Sequence, residues 1–278
     1  MGLIPKNRDC EECGRMMRVE KMRNTFRFRC RRKDCVGGSI AMLDKTFFGG
    51  SHLSLKEIFQ ITYFWSRNFV QYDEMRFQMN RGASELSDAT ICDWLRFCRD
   101  ICAEHYIRNP KRLGGVGSIV EIDETCVSRR KYNRGRILME QVWVFGGVER
   151  GTNKVFMEIV EDRTAATLLP LIQKYILPGT TIISDLWRAY FRIGELPEAY
   201  THLTVNHSIN FVDPESGAHT QSVESNWQQY KMGGKKRYGT HRTMLQDYIE
   251  EFYWRKEFAG NDCFYNFWNQ VREHYANL

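Results

Sequence analysis

Two apolar runs that read as β-strands each end on a carboxylate, and this limits the fold more than any other feature of the chain. Ser118-Ile119-Val120-Glu121-Ile122 leads into Asp123, and Thr181-Ile182-Ile183-Ser184 leads into Asp185. A third acid, Glu224, lies in the stretch from His219 to Lys231. There Glu224, Trp227 and Lys231 are spaced i, i+3 and i+7 and share one face of a helix. Two carboxylates at strand ends and a third on a later helix are what a two-metal phosphoryl-transfer site requires.

The pattern around these acids is a meander followed by alternating elements. Strand-like runs at 118–125, 141–148 and 154–160 are separated by turn residues such as Glu149-Arg150-Gly151-Thr152-Asn153. Residues 164–175 read as a helix with Leu168, Leu169, Ile172 and Ile176 in phase. A fourth strand at 180–184, a short helix at 187–193, a short strand at 203–205, the Glu224 helix and a long helix at 243–258 follow. This is the element order of an α/β domain with a ribonuclease-H-like mixed sheet and flanking helices. In that arrangement the first strand is central and the fourth lies beside it in parallel, so Asp123 and Asp185 become neighbours.

Each acid has a competitor. Glu121 shares a strand face with Asp123, whereas Glu124 points to the other face. Asp123 is preferred because it lies nearer the strand end, where sites open. Glu161-Asp162 could stand in for Asp185. Asp185 is preferred because it follows a buried-looking strand and precedes an aromatic segment. In a two-metal site Asp123 would bridge two Mg²⁺ ions, with Asp185 holding one and Glu224 the other. Lys231 would face a nucleic-acid phosphate.

The N-terminal 38 residues have a different logic. Cys10-x2-Cys13 and Cys30-x4-Cys35 are separated by sixteen residues that end in an alternating apolar and charged run. Two cysteine pairs on turns joined by a hairpin make a zinc ribbon, and four thiolates suit tetrahedral Zn²⁺. A module this small cannot be held by burial alone, so the metal would supply its folding energy. It carries eleven Lys/Arg against five Asp/Glu, while the remaining 240 residues carry 29 of each. The whole net charge of +6 therefore sits in this module, which suggests a polyanionic partner. Nine cysteines behind an N-terminus with no apolar signal segment argue for reduced thiols or metal ligands rather than disulfides. No apolar run approaches membrane-spanning length, so no membrane partner is expected.

Between these regions three helices are expected. The first starts at Ser54 with a capping box completed by Glu57. The second lies around 75–79, and the third runs from 91 to 106. Placed after a basic module, they suit a helix-turn-helix-like unit, although any small helical bundle has the same periodicity. The expected organisation is a zinc ribbon at 1–38, a helical DNA-binding domain at 39–108 and a Pro/Gly linker at 109–117. A catalytic domain at 118–258 and a C-terminal extension at 259–278 follow. A basic loop lies at 129–136, and a second basic run, Lys235-Lys236-Arg237 on to Arg242, suits a phosphate track beside a site, or an ordinary solvated loop. The second is also a weak nuclear-import pattern, so a nuclear location is expected in a eukaryote and a cytoplasmic one otherwise.

Three blocks carry a family resemblance. They are Val120-Glu121-Ile122-Asp123-Glu124-Thr125, Ser184-Asp185-Leu186-Trp187-Arg188-Ala189-Tyr190, and His219 to Trp227 with Lys231. Together, in this order, they resemble the signature blocks of the Merlin superfamily of DDE transposases and their bacterial insertion-sequence relatives. The resemblance covers about residues 10–258, since that family also carries a zinc ribbon and a helical segment. It implies a ribonuclease-H-like catalytic domain and Mg²⁺-dependent (or Mn²⁺-dependent) cleavage of double-stranded DNA at terminal inverted repeats. It also implies joining of the freed 3′-hydroxyl ends to target DNA, by a dimer or higher assembly. Asp123, Asp185 and Glu224 match its acidic triad, and Lys231 the basic residue that follows. The alternatives are a non-catalytic DNA-binding protein derived from a transposase, or another ribonuclease-H-like nuclease.

Overall fold

The structure is a computed structural model that describes residues 2–23, 25–79, 86–128, 141–152, 154–206, 212–213, 217–258, 260 and 262–276. Its elements begin with β1 (Arg18–Lys21), β2 (Phe26–Arg29) and β3 (Ser39–Ala41). Helices α1 (Leu55–Ser66), α2 (Tyr72–Met79) and α3 (Asp88–Arg108) follow. Then come β4 (Leu113–Gly114), β5 (Ile119–Ser128), β6 (Val142–Glu149), β7 (Val155–Val160) and α4 (Ala165–Tyr175). Strands β8 (Ile176–Leu177), β9 (Thr181–Asp185) and β10 (Thr201–Val205) lead to α5 (Gln221–Lys236), α6 (Leu245–Phe258) and α7 (Cys263–Tyr275). The basic run at 129–136 lies outside the described residues.

The chain divides into two compact units, residues 1–105 with 260–278, and residues 106–259. The first opens with an antiparallel β1-β2-β3 sheet, from which Phe28 packs with Cys10 and Met17 in a small buried cluster. That is too little apolar surface to hold a fold by burial alone. The expected capping box is present: Ser54 accepts from the Glu57 N–H, and Glu57 accepts from the Ser54 N–H. Helix α1 buries Ile58, Ile61 and Trp65. Within the expected C-terminal extension, Cys263–Tyr275 form α7, and residues 260–278 belong to this unit. Cys263, Phe267, Trp268 and Val271 make one buried stripe on α7. Trp268 lies 4.3 Å from Phe59, and Phe267 lies 5.0 Å from Trp65, ring centre to ring centre.

The second unit is built on a five-stranded sheet of order β10-β9-β5-β6-β7. Strands β5, β6 and β7 pair antiparallel, while β5–β9 and β9–β10 pair parallel. The first long strand is central, as a ribonuclease-H-like sheet demands. Period-two alternation divides the sheet into two apolar faces. Val120, Ile122, Phe145, Phe156 and Ile182 pack with Leu168 and Ile172 of α4. Val144, Val148 and Met157 pack with Val223, Trp227 and Tyr230 of α5 and with Leu245 and Ile249 of α6.

Three local details depart from the expected pattern. Strand β5 runs on to Ser128 through an irregularity at Cys126–Ser128, so Asp123 sits in mid-strand rather than near its end. The expected linker contains β4, which pairs in parallel with β8, and Gly114 takes a positive φ of 85° there. The short helix expected at 187–193 is two 3-10 turns, Arg188–Tyr190 and Ile193–Glu195, since Gly194 and Pro197 do not sustain a longer helix. Among the described residues, no helix is long and apolar enough to cross a membrane.

Candidate active site

The site begins with what α5 does to Asp123. Trp227 is buried between α5 and the sheet, and its Nε1–H donates to Asp123 Oδ2 at 3.0 Å. Asp123 stands opposite Gly146 in the β5–β6 ladder. A Cβ on Gly146 would come within 2.6 Å of Trp227 Cη2, so glycine there leaves the space in which the indole lies. Burial pushes the Asp123 carboxyl up to about 7, and the neighbouring Glu124 and Asp185 push the same way.

Asp185 closes β9, which runs parallel to β5 with Glu121 in register with Ile183. Two residues further along each strand stand Asp123 and Asp185, so the topology makes them neighbours. Asp185 Oδ1 accepts from the Trp187 backbone N–H at 2.9 Å. Glu224 lies one turn before Trp227 on α5, and its Oε1 accepts from Thr220 Oγ1 at 3.0 Å. Lys231 lies one turn after Trp227. Its partial burial pulls its pKa down, while Cys126 and Asp123 raise it, which puts the ammonium in the field of the same acids. The sheet thus brings Asp123 and Asp185 together, and α5 carries Glu224 and Lys231 to either side of the Asp123 contact. The donor set is oxygen-rich and self-repelling, which a hard divalent cation relieves. Their ligand atoms do not form a grouping as compact as the four cysteines described below.

The competing acids have other partners. Asp162 Oδ1 accepts from the Thr164 N–H, Thr164 Oγ1 and Thr167 Oγ1 at the start of α4, and these bonds hold its carboxyl below the usual range. Glu121 is fully buried and its two oxygens are taken up by Arg150, Ser222 and Val223. Glu124 does sit on the opposite face, yet it is not remote from the site. Burial raises its carboxyl, Asp185 adds to that, and Arg163 opposes it. Its Oε1 and the Tyr190 hydroxyl are both buried without a well-formed hydrogen bond.

A group missed in the sequence borders these acids. The Arg163 guanidinium is sandwiched between Trp143 at 3.9 Å and Trp187 at 4.7 Å, while Trp187 Nε1–H donates to the Arg163 carbonyl at 3.1 Å. The three residues come from separate elements, and nothing in their local sequence pairs them. Of the expected phosphate track, Lys235 and Lys236 are exposed in the last turn of α5. Arg237 is instead drawn onto the Tyr248 ring at 3.7 Å.

In the N-terminal unit the sulfur atoms of Cys10, Cys13, Cys30 and Cys35 all lie within 4.8 Å of one another. Cys10 and Cys35 are 3.6 Å apart and Cys13 and Cys30 3.7 Å. Zn–S bonds of about 2.3 Å in a tetrahedron place sulfurs at such separations. A Cβ on Gly37 would collide with Cys10 Sγ, so this glycine clears room for the cluster. The Arg15 backbone N–H, through its hydrogen bond, lowers the Cys13 thiol to about 7, within reach of the thiolate state that metal binding needs.

Comparison with known proteins gives the domain that carries these acids a family. Residues 112–257 match the model of the ISXO2-like transposase domain, which is more than half of the chain. The chain belongs to the ISXO2-like transposase family. The matched span takes in the whole five-stranded sheet together with α4, α5 and nearly all of α6. An uncharacterized transposase-like protein of Haemophilus influenzae is 28% identical over 102 residues, or 37% of this chain and 80% of that protein. Among solved structures, the catalytic core domain of BIV integrase shows 18% identity, covering 58% of this chain and 98% of that one, with a TM-score of 0.34. A chain of a simian T-cell lymphotropic virus intasome in complex with PP2A regulatory subunit B56 gamma shows 13% identity and a TM-score of 0.29, covering 59% of this chain and 57% of that one. The fold assignment of this ISXO2-like domain rests on its own strand order and not on these loose likenesses.

Proposed function

We propose that this member of the family is an active DNA transposase, related to the Merlin superfamily, that cleaves at terminal inverted repeats and joins the 3′-hydroxyl ends to target DNA. The observation that carries the reading is the meeting of Asp123 and Asp185 on adjacent parallel strands, with α5 fastened to Asp123 between Glu224 and Lys231. Asp123, Asp185 and Glu224 would hold Mg²⁺ or Mn²⁺. Bound there, the ions lower the pKa of the attacking oxygen and neutralise charge on the leaving one.

The chain's own residues do the rest. Burial and like charge keep Asp123 ready to exchange its proton for a cation near neutral pH. Trp227 holds Asp123 Oδ2 and so sets how the carboxyl is turned. Lys231 supplies a positive charge for a nearby DNA phosphate, and exposed Lys235 and Lys236 extend that track. The four cysteines would hold Zn²⁺, and the basic module around them would grip double-stranded DNA. Two element ends must reach one target, so a homodimer or larger assembly would act.

The test is strand cleavage of DNA carrying the sequences that flank the gene, comparing wild type with Glu224→Gln in Mg²⁺ and in EDTA. Metal-dependent nicking that leaves a 3′-hydroxyl, lost in Glu224→Gln with end binding retained, is the expected result. Specific binding with no cleavage in any metal would instead leave a DNA-binding protein on a transposase fold.

A further inference from the structure

Helix α5 has no N-cap of its own. Thr220 precedes it without a side-chain cap and turns its hydroxyl to Glu224 instead. The unsatisfied N–H groups of the first turn are met from another element. Glu121 Oε2 accepts from the Ser222 N–H at 2.7 Å and from the Val223 N–H at 3.1 Å, and Oε1 accepts from Ser222 Oγ at 2.9 Å. Arg150 Nε donates to Oε1 at 2.6 Å, and its Nη2 reaches the His219 carbonyl at 2.7 Å, just before the helix. His219 Nδ1 lies 3.3 Å from the same carboxylate. Glu121 is therefore a buried anion at a helix N-terminus, where the helix dipole favours it, with one guanidinium completing its shell.

We infer that Glu121 is the positioning residue of the acidic site, setting where Glu224 stands relative to Asp123. The inference rests on the transposase reading for what the site does, and on geometry alone for what Glu121 does. Glu121 and Asp123 are two residues apart on one face of β5, or about 6.7 Å along the strand. Their partners Ser222 and Trp227 are five residues apart on α5, or about 7.5 Å along the helix. The two spacings match, so α5 is fastened to β5 at two points with no room to slide by a turn. Glu224 lies between them and inherits that register. Only one of the two fastenings, Trp227 on Asp123, touches an acid of the triad. Glu121 has no oxygen left for an ion and acts through the helix.

The substitution that isolates this role is Glu121→Gln. It keeps size and shape but turns one of the two acceptors into a donor facing either α5 or Arg150. Three readouts on the zinc-loaded full chain apply: amide exchange at Ser222 and Val223, Mn²⁺ affinity by paramagnetic titration, and cleavage. We expect those two amides to lose protection while β5 and β6 keep theirs. Mn²⁺ binding and cleavage should each weaken about 10- to 100-fold, the range for groups that orient metal ligands. Wild-type exchange, Mn²⁺ affinity and cleavage in Glu121→Gln would overturn the inference. If wild type binds Mn²⁺ but never cleaves, and the variant loses both binding and protection, the positioning role stands and the transposase reading falls. Should Glu121→Gln fail to fold, Ser222→Ala removes a single donor. It is expected to give a smaller loss of Mn²⁺ affinity in the same direction, and no loss would count against the role.

Discussion

The cysteine cluster and the acidic site are both candidate metal centres, and they are prepared in opposite ways. In the N-terminal module the sulfurs already lie at zinc-bridged separations, around a core of only three buried residues. In the second unit the scaffold is complete without an ion, because the sheet, α4, α5 and α6 form two apolar layers of their own. There burial, reinforced by the neighbouring Glu124 and Asp185, lifts Asp123 to about 7. The difference teaches which part of each region a metal would serve: zinc at the cysteines would hold a fold together, whereas a divalent ion at the acids would be a visitor to a fold that already stands.

The sharpest way to break this contrast is to take the zinc away. Cys13→Ser, or a strong chelator, should unfold the module, since structural zinc contributes on the order of 10 kcal/mol to such folds. The second unit should keep its unfolding transition. Circular dichroism and limited proteolysis would follow both at once, and a module that stays protected without zinc would refute its role.

A smaller effect concerns pH. The Asp123 carboxyl is raised from 3.8 to about 7, so the metal-free folded state binds a proton that the unfolded state releases. Stability therefore falls as pH rises from about 4 to about 7 and then levels, by up to about 4 kcal/mol at one pKa unit per 1.36 kcal/mol. Denaturant titrations of wild type against Asp123→Asn should show a steeper slope in wild type, with only the Glu124 contribution left in the variant, and Mg²⁺ should restore stability at pH 8. A slope that is the same in both proteins would remove Asp123 as its source.

Smaller again is Gly146→Ala. The added methyl meets Trp227 and the Phe156 carbonyl. An overpacked core of this kind costs about 1–3 kcal/mol. Because Trp227 is displaced from Asp123, cleavage should fall more than that loss of stability explains. Equal losses would reduce Trp227 to a packing residue.

Much of this was legible because both faces of the sheet follow simple alternation. The runs leading into Asp123 and Asp185 read as strands, and their parallel pairing followed from element order. The i, i+3, i+7 spacing puts Glu224, Trp227 and Lys231 on one face of α5, and Trp227 of that face meets Asp123. What could not be read depended on partners far apart in sequence. Glu121 looked like a rival to Asp123, and nothing local tells that Ser222, Val223 and Arg150 occupy it. Glu124 was set aside by its strand face, but Asp185 closes its strand where one face no longer separates the two acids. The role of Gly146 depends on an indole arriving from α5. The buried stripe of α7 packs on α1, a partner about 200 residues away that nothing local announces.

The most direct test of the central claim is diffraction from crystals of the full chain grown with Mn²⁺, using its anomalous signal. The expected result is manganese bound to Asp123 and Asp185 oxygens, with Glu224 completing the site. Manganese absent from these acids, or bound there with Glu224 turned away, would contradict it.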